Sequence, residues 1–303
     1  MESLRGRPMC KDVNEYLAKL KKELAGCDPA LIQDALSDAE GHLRMALDEV
    51  LSDKPSLSEP EAVVPIIEKY GSPKEIASAY RAIESRTSPA LAVSRTKEMR
   101  SFWARFFGVL AEPKAWGAFF YMLLSLVTGI VFGGWAILAG IISLCTLVFI
   151  IGIPLVGLFL LSIRGIALLE GRIVEALLGI RMPNRPLFLD ANLSWKEMFM
   201  VLIKESLTWK SLLYAALQFP LGLIYSLGIF LLFALSLSFI GSPLLELVFH
   251  LPLELFGPEA FTPVWLLPFV SIAGFFLLPL TFHLARWVGK VHGKYAKSML
   301  VRA

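Results

Sequence analysis

Two stretches of this chain carry residue types whose spacing could do chemistry. Asp34, Asp38 and His42 recur every four residues, so a helix would stack two carboxylates and an imidazole along one face. That set could hold a divalent cation. No cysteine or second histidine stands near it, however, and a solvated acidic face or a partner-docking surface fits the residues better. The other stretch is apolar: Tyr121, Tyr214 and Gln218 lie in long uncharged sequence. A phenol or amide there could line a ligand cavity, or could tie two helices together by hydrogen bonds. His283, three residues before Arg286, reads as interfacial.

Other chemistries find little support. Cys10, Cys27 and Cys145 form neither a metal-ligand spacing nor a disulfide framework. Glycine-rich phosphate loops, serine-nucleophile motifs and paired-histidine metalloprotease motifs are missing from the sequence. No catalytic residue, cofactor or metal site is therefore expected, and the chain is not read as an enzyme. The weakest alternative is a membrane enzyme with an outer site on Glu246, His250, Glu254 and Glu259.

The elements that position these residues follow from charge and hydropathy. The run from Ala115 to Ile163 has no charged residue. At about 20 residues per crossing it is long enough for two spans. Spans are predicted near Trp116–Ile137, Ile141–Ile163, Ser211–Phe233 and Val264–Arg286. The aromatic and basic segment SFWARFFGVL and the amphipathic segment SWKEMFMVLIKES read as interfacial. Residues 1–86 hold 12 Lys+Arg and 16 Asp+Glu, against 17 and 10 in the rest of the chain. The front is therefore mildly acidic and the membrane part basic. The first 30 residues are studded with charge and contain no apolar leader core, so the front domain is expected in the cytoplasm.

Residues 1–86 read as short capped helices. Val13, Tyr16, Leu17, Leu20 and Leu24 share one face of the first. Asp28 followed by Pro29 caps a second, which runs to about Leu51. Ser58 with Glu61 and Ser72 with Glu75 have capping-box spacing, and Gly71 ends the helix between them. The stretches YLAKLKKELAGCDPALIQDALSDAEGHL and YGSPKEIASAY, within residues 12 to 83, resemble the HAAS signalling domain of bacterial membrane proteins. That resemblance implies a cytoplasmic protein partner such as a PadR-type transcriptional regulator.

The spans look duplicated. Glu112, Trp116, Tyr121, Leu124 and Gly129 return 93 residues later as Glu205, Trp209, Tyr214, Leu217 and Gly222. Gly152, Arg164 and Gly171 return after 122 as Gly274, Arg286 and Gly293. The difference, 29 residues, is an insertion between the spans of the second hairpin. The segments IGIPLVGLFLLSIRGIALLEGRIVEALLGI and LTWKSLLYAALQFPLGLIYS resemble the sensor domain at the front of many bacterial histidine kinases, over residues 114 to 297. In this chain only a short basic tail follows the last span.

Together these readings predict an all-α protein: a cytoplasmic HAAS-like bundle (1–86), a linker and interfacial segment (87–110), and a four-span membrane domain (111–303). The membrane domain is expected to consist of two parallel hairpin repeats. Basic residues between Arg164 and Lys210 and in the tail, against an outer loop (241–263) without Lys or Arg, lead us to expect a protein of the bacterial cytoplasmic membrane with both termini on its cytoplasmic side. The basic loops are better explained by orientation and anionic lipid than by direct nucleic-acid binding. The expected partners are the bilayer and a cytoplasmic protein, and homo-oligomerisation is left open. The leading function is a membrane-embedded sensor of an envelope or lipid-phase cue. The alternative is an accessory subunit of a transport or lipid-handling complex.

Overall fold

A computed structural model of the chain describes residues 12–86, 101–147, 152–184, 195–248 and 263–302. Among these residues the structure is all-α, with four helices long and apolar enough to cross a membrane after an N-terminal helical region. Of the linker and interfacial segment read at 87–110, residues 87–100 lie outside the described residues.

The front domain is built by its caps. Asp12 accepts the Glu15 N–H to start α1 (Val13–Glu23), and Asp28 accepts the Ala30 N–H to start α2 (Pro29–Asp53). At the head of α3 (Glu59–Tyr70), Glu61 accepts from both the Ser58 N–H and its hydroxyl. The hydroxyl bond holds the Glu61 carboxyl below the usual range. Ser72 and Glu75 exchange both capping-box bonds at the start of α4 (Pro73–Arg86). Gly71, at φ +113°, makes the corner between α3 and α4, a backbone region open to glycine. Tyr16, Leu20, Leu24, Ala35, Leu43 and Ala62 form the core of this bundle.

The membrane part opens with α5 (Phe102–Gly108). A long first helix then follows: α6 (Pro113–Thr128), a π-helical turn (Gly129–Gly133) and α7 (Gly134–Thr146). Next come α8 (Gly152–Leu178), α9 (Trp195–Lys204), α10 (Ser206–Leu247) and α11 (Leu267–Leu300). The first hairpin turn therefore falls after Thr146, not near residues 138–140 as hydropathy suggested. Uniformly apolar sequence gave no punctuation there, and Gly140 serves instead as a seat for the Phe159 ring. Residues 241–247, read as loop, complete α10. Of the outer glutamates only Glu246 lies in the described residues.

The repeat is visible in atomic detail. Trp116 Nε1 donates to the Leu110 carbonyl and Trp209 Nε1 to that of Ile203, at 2.8 and 2.7 Å. Both the indoles and the carbonyls are 93 residues apart. Phe102 and Trp195, at the same offset, each open the short helix before a hairpin. Glu112 pairs with Arg286 at 2.5 Å, and Glu205 with Arg164. Each glutamate thus takes the arginine of the other repeat.

The relative direction of the hairpins differs from the sequence reading. Phe119 meets Phe233, and a Cβ added at Gly129 or Gly133 would press on Gln218 O or Phe219 Cβ at 2.6 and 2.7 Å. Rising along α6 therefore means descending α10. By contrast α6 and α11 run in the same sense, since Glu112 meets Arg286 and Tyr121 meets His292. So do α8 and α10, where Arg164 meets Thr208 and Glu170 meets Tyr214. The repeats are thus inverted, about an axis across the helices, and not parallel. The parallel expectation counted Arg164 and Arg286 as loop charges, whereas both lie inside helices and answer a glutamate of the opposite repeat.

Gly222 lets α10 touch the Ser125 carbonyl of α6, leaving no space for a side chain. Gly222→Ala is expected to destabilise the protein by about 1–3 kcal/mol through overpacking, whereas Gly228→Ala, where nothing lies within 4 Å, should be neutral or stabilising. Thermal unfolding in detergent would check the contrast.

Candidate functional site

At the inverted crossing the bundle encloses a polar centre built from both repeats. α6 brings Tyr121 and Thr128, α8 brings Glu170, α10 brings Tyr214 and Gln218, and α11 brings His292. Tyr121, Glu170, Tyr214, Gln218 and His292 are each at most 2% exposed. Glu170 Oε1 accepts from the Tyr121 hydroxyl at 2.7 Å, the Gln218 amide at 3.2 Å and the Tyr214 hydroxyl at 3.3 Å. His292 Nε2 lies 2.7 Å from the Tyr121 hydroxyl and 3.1 Å from that of Tyr214. Gln218 also reaches Thr128 Oγ1 at 3.4 Å. Tyr225 and Tyr295 wall the imidazole, with ring centroids 5.4 and 5.8 Å away.

This centre follows the repeat. Tyr121 and Tyr214 are equivalent at the offset of 93, and Glu170 and His292 at the offset of 122. Two equivalent phenols therefore bridge two equivalent positions of unlike chemistry, an acid in one repeat and a base in the other. Glu170 Oε2, Gln218 Oε1, His292 Nδ1 and the Tyr295 hydroxyl are buried without a hydrogen-bond partner among the described residues. A buried polar group left unpaired costs about 1–3 kcal/mol.

The sequence singled out Tyr121, Tyr214 and Gln218, and the structure brings all three to one point. It did not find Glu170 or His292, because the spans drawn from hydropathy stop at Ile163 and Arg286 and leave both outside. The usable signal was the repeat itself: Gly171 and Gly293 had been matched, and the residues just before them are Glu170 and His292. His283 lies elsewhere, stacked on Phe106 with its Nε2 3.1 Å from the Phe106 carbonyl.

Asp34, Asp38 and His42 do not act as a set. Asp38 accepts the Tyr80 hydroxyl at 2.7 Å, and exposed His42 stacks on Tyr70. Asp34 is buried and accepts the Asn184 N–H at 2.7 Å. That bond belongs to a second region of interest, where the start of α2 docks on the membrane part. Asp28 pairs with Lys297 at 2.5 Å, and Gln33 Oε1 accepts the Arg302 N–H at 2.8 Å. Ala30 is buried in the same apolar cluster as Ala296, Leu300 and Val301. No group of three or more His, Cys, Asp and Glu able to hold a metal occurs among the described residues.

Residues 121–300 match a family model described as "Putative sensor", and residues 15–79 match one described as "HAAS". No curated protein and no solved structure matches the chain.

The polar centre should behave as one coupled unit. In a double-mutant cycle, Tyr121→Phe and Glu170→Gln are expected to couple by about 1 kcal/mol, read by unfolding in detergent. Strictly additive effects would separate the two side chains.

Proposed function

Because the chain belongs to the sensor family whose model covers residues 121–300, with a HAAS domain in front of it, we propose that the helical hairpins sense an envelope or lipid-phase cue and that the front domain passes their state to a cytoplasmic PadR-type regulator. The observation that carries this reading is the docking of α2 on the membrane part. Asp28, Gln33 and Asp34 touch the C-terminal end of α11, its tail and the connection after α8. A shift of α11 against α8 would move the surface on which the front domain rests.

The polar centre is the natural two-state element for such a shift. Its tyrosines bond across both repeats, so any sliding of one hairpin past the other must exchange those bonds together. A cue acts only through unequal affinity for the two arrangements, and the lost and regained bonds set the size of that difference. Enclosed on every side by its own helices, the centre suits a structural switch better than a catalytic site, and we read the protein as a regulator and not an enzyme. The side on which the front domain rests against the tail is taken as cytoplasmic. Its basic residues Lys294, Lys297 and Arg302 support that side.

Charge reversal tests the relay. Lys297→Asp should release the front domain, seen as faster amide exchange in α2, and alter capture of a PadR-type regulator by the full-length protein. Lys297→Arg, which keeps a cation opposite Asp28 and leaves the cap of α2 intact, should retain both. Failure of the full-length protein to capture any such regulator, with transcription unchanged on its deletion, would remove the proposed output.

A further inference from the structure

Leu161 and Leu168 of α8, Leu207 of α10, Leu300 of α11, Pro183 and the front domain's Gln33 line a cavity of about 280 Å³. Its walls are almost wholly apolar. Gly165 lies in the wall, and a side chain added there would meet nothing within 4 Å. A second cavity, of about 340 Å³, shares Leu207 with the first and is lined by Lys204, Glu205, Lys210 and Arg302. Glu205 already pairs with Arg164, which belongs to the wall of the apolar cavity, and Arg302 approaches it at 3.8 Å. Among the described lining residues, one carboxylate thus faces four cations.

An apolar slot opening beside a cationic cup has the form of an amphiphile with a negative head. The slot is at the small end of ligand pockets, so it accepts one chain. We propose that these adjoining cavities bind an anionic phospholipid, with one acyl chain among Leu161, Leu168, Leu207 and Leu300 and the phosphate on Lys204, Lys210 and Arg302. Gln33 ties this site to the docked front domain: it lines the slot while its Oε1 holds the Arg302 N–H. Filling the slot therefore acts on the same residue that fastens α2 to the tail. The inference rests on the sensor reading only for what the lipid would signal, since binding itself is a property of this site.

The test uses the full-length protein in neutral detergent, titrated with lauroyl lysophosphatidic acid and followed by native mass spectrometry. Saturable binding is expected, with the lysophosphatidylcholine of the same chain weaker and inorganic phosphate unable to displace the probe. Gly165→Leu fills the slot from a helical position and should abolish saturable binding while leaving thermal unfolding unchanged or higher. Lys204→Gln with Lys210→Gln, both on exposed side chains, should weaken binding about fivefold for each charge removed, and it stands as the test if Gly165→Leu fails to fold. Equal binding of the choline lipid would reduce the site to a general acyl groove, and displacement by phosphate would make it a free-anion site. Either result, or undiminished binding by both variants, overturns the proposal. Loss of lipid binding with regulator capture intact would leave the signalling reading standing, whereas the reverse would leave only the lipid site.

Discussion

A carboxyl group removed from water is the constraint on which the membrane part depends. Burial of such a group in an apolar interior is expensive unless hydrogen bonds replace its hydration. Glu170 obtains them from Tyr121 of its own repeat and from Tyr214 and Gln218 of the other. Those donors stand on two helices, α6 and α10, so satisfying one oxygen of α8 fixes the register of all three. The close crossings at Gly129, Gly133 and Gly222 serve the same end, bringing the backbones near enough for phenol and carboxylate to meet.

Duplication explains how such a centre can arise and why it is asymmetric. Two identical repeats related by an inverted axis would place two carboxylates, or two imidazoles, at equivalent points around a shared pair of tyrosines. Like charges there would repel. Glu170 in one repeat and His292 in the other avoid this, and give each phenol one acceptor and one partner able to donate. The outer pairs stay symmetric, Glu112 with Arg286 and Glu205 with Arg164. At those positions acid and base already belong to different repeats, so nothing is gained by divergence.

What the sequence made legible was local or periodic. Asp28, Ser58 and Ser72 mark helix starts because each cap is a short-range bond whose partner lies two or three residues on. The offsets of 93 and 122 marked the repeat for a similar reason, since equivalent residues keep their spacing whatever the packing. Two things were hidden. A turn after Thr146 leaves no trace when every residue from Ala115 to Ile163 is uncharged. Inversion of the hairpins is a long-range fact, and an arginine in an inter-repeat pair looks, in sequence, like an arginine marking a membrane edge. Glu170 was missed for that reason too: counted by neighbourhood it belongs with Arg164 and Arg172, while only its contacts place it at the bundle centre.

The division of labour between the two polar regions follows from their surroundings. Bonds inside the centre are shielded from water and change only in concert, which suits an element with discrete arrangements. The contacts of α2 with the tail are partly exposed, with the Asp28 and Lys297 side chains 27% and 23% accessible. A pair so placed contributes at most about 1 kcal/mol. A relay needs that weakness: a front domain fastened too firmly could not be released by the modest free energy that a cue supplies. In the relay we propose, the buried centre stores the difference between states, and the half-exposed junction reads it out.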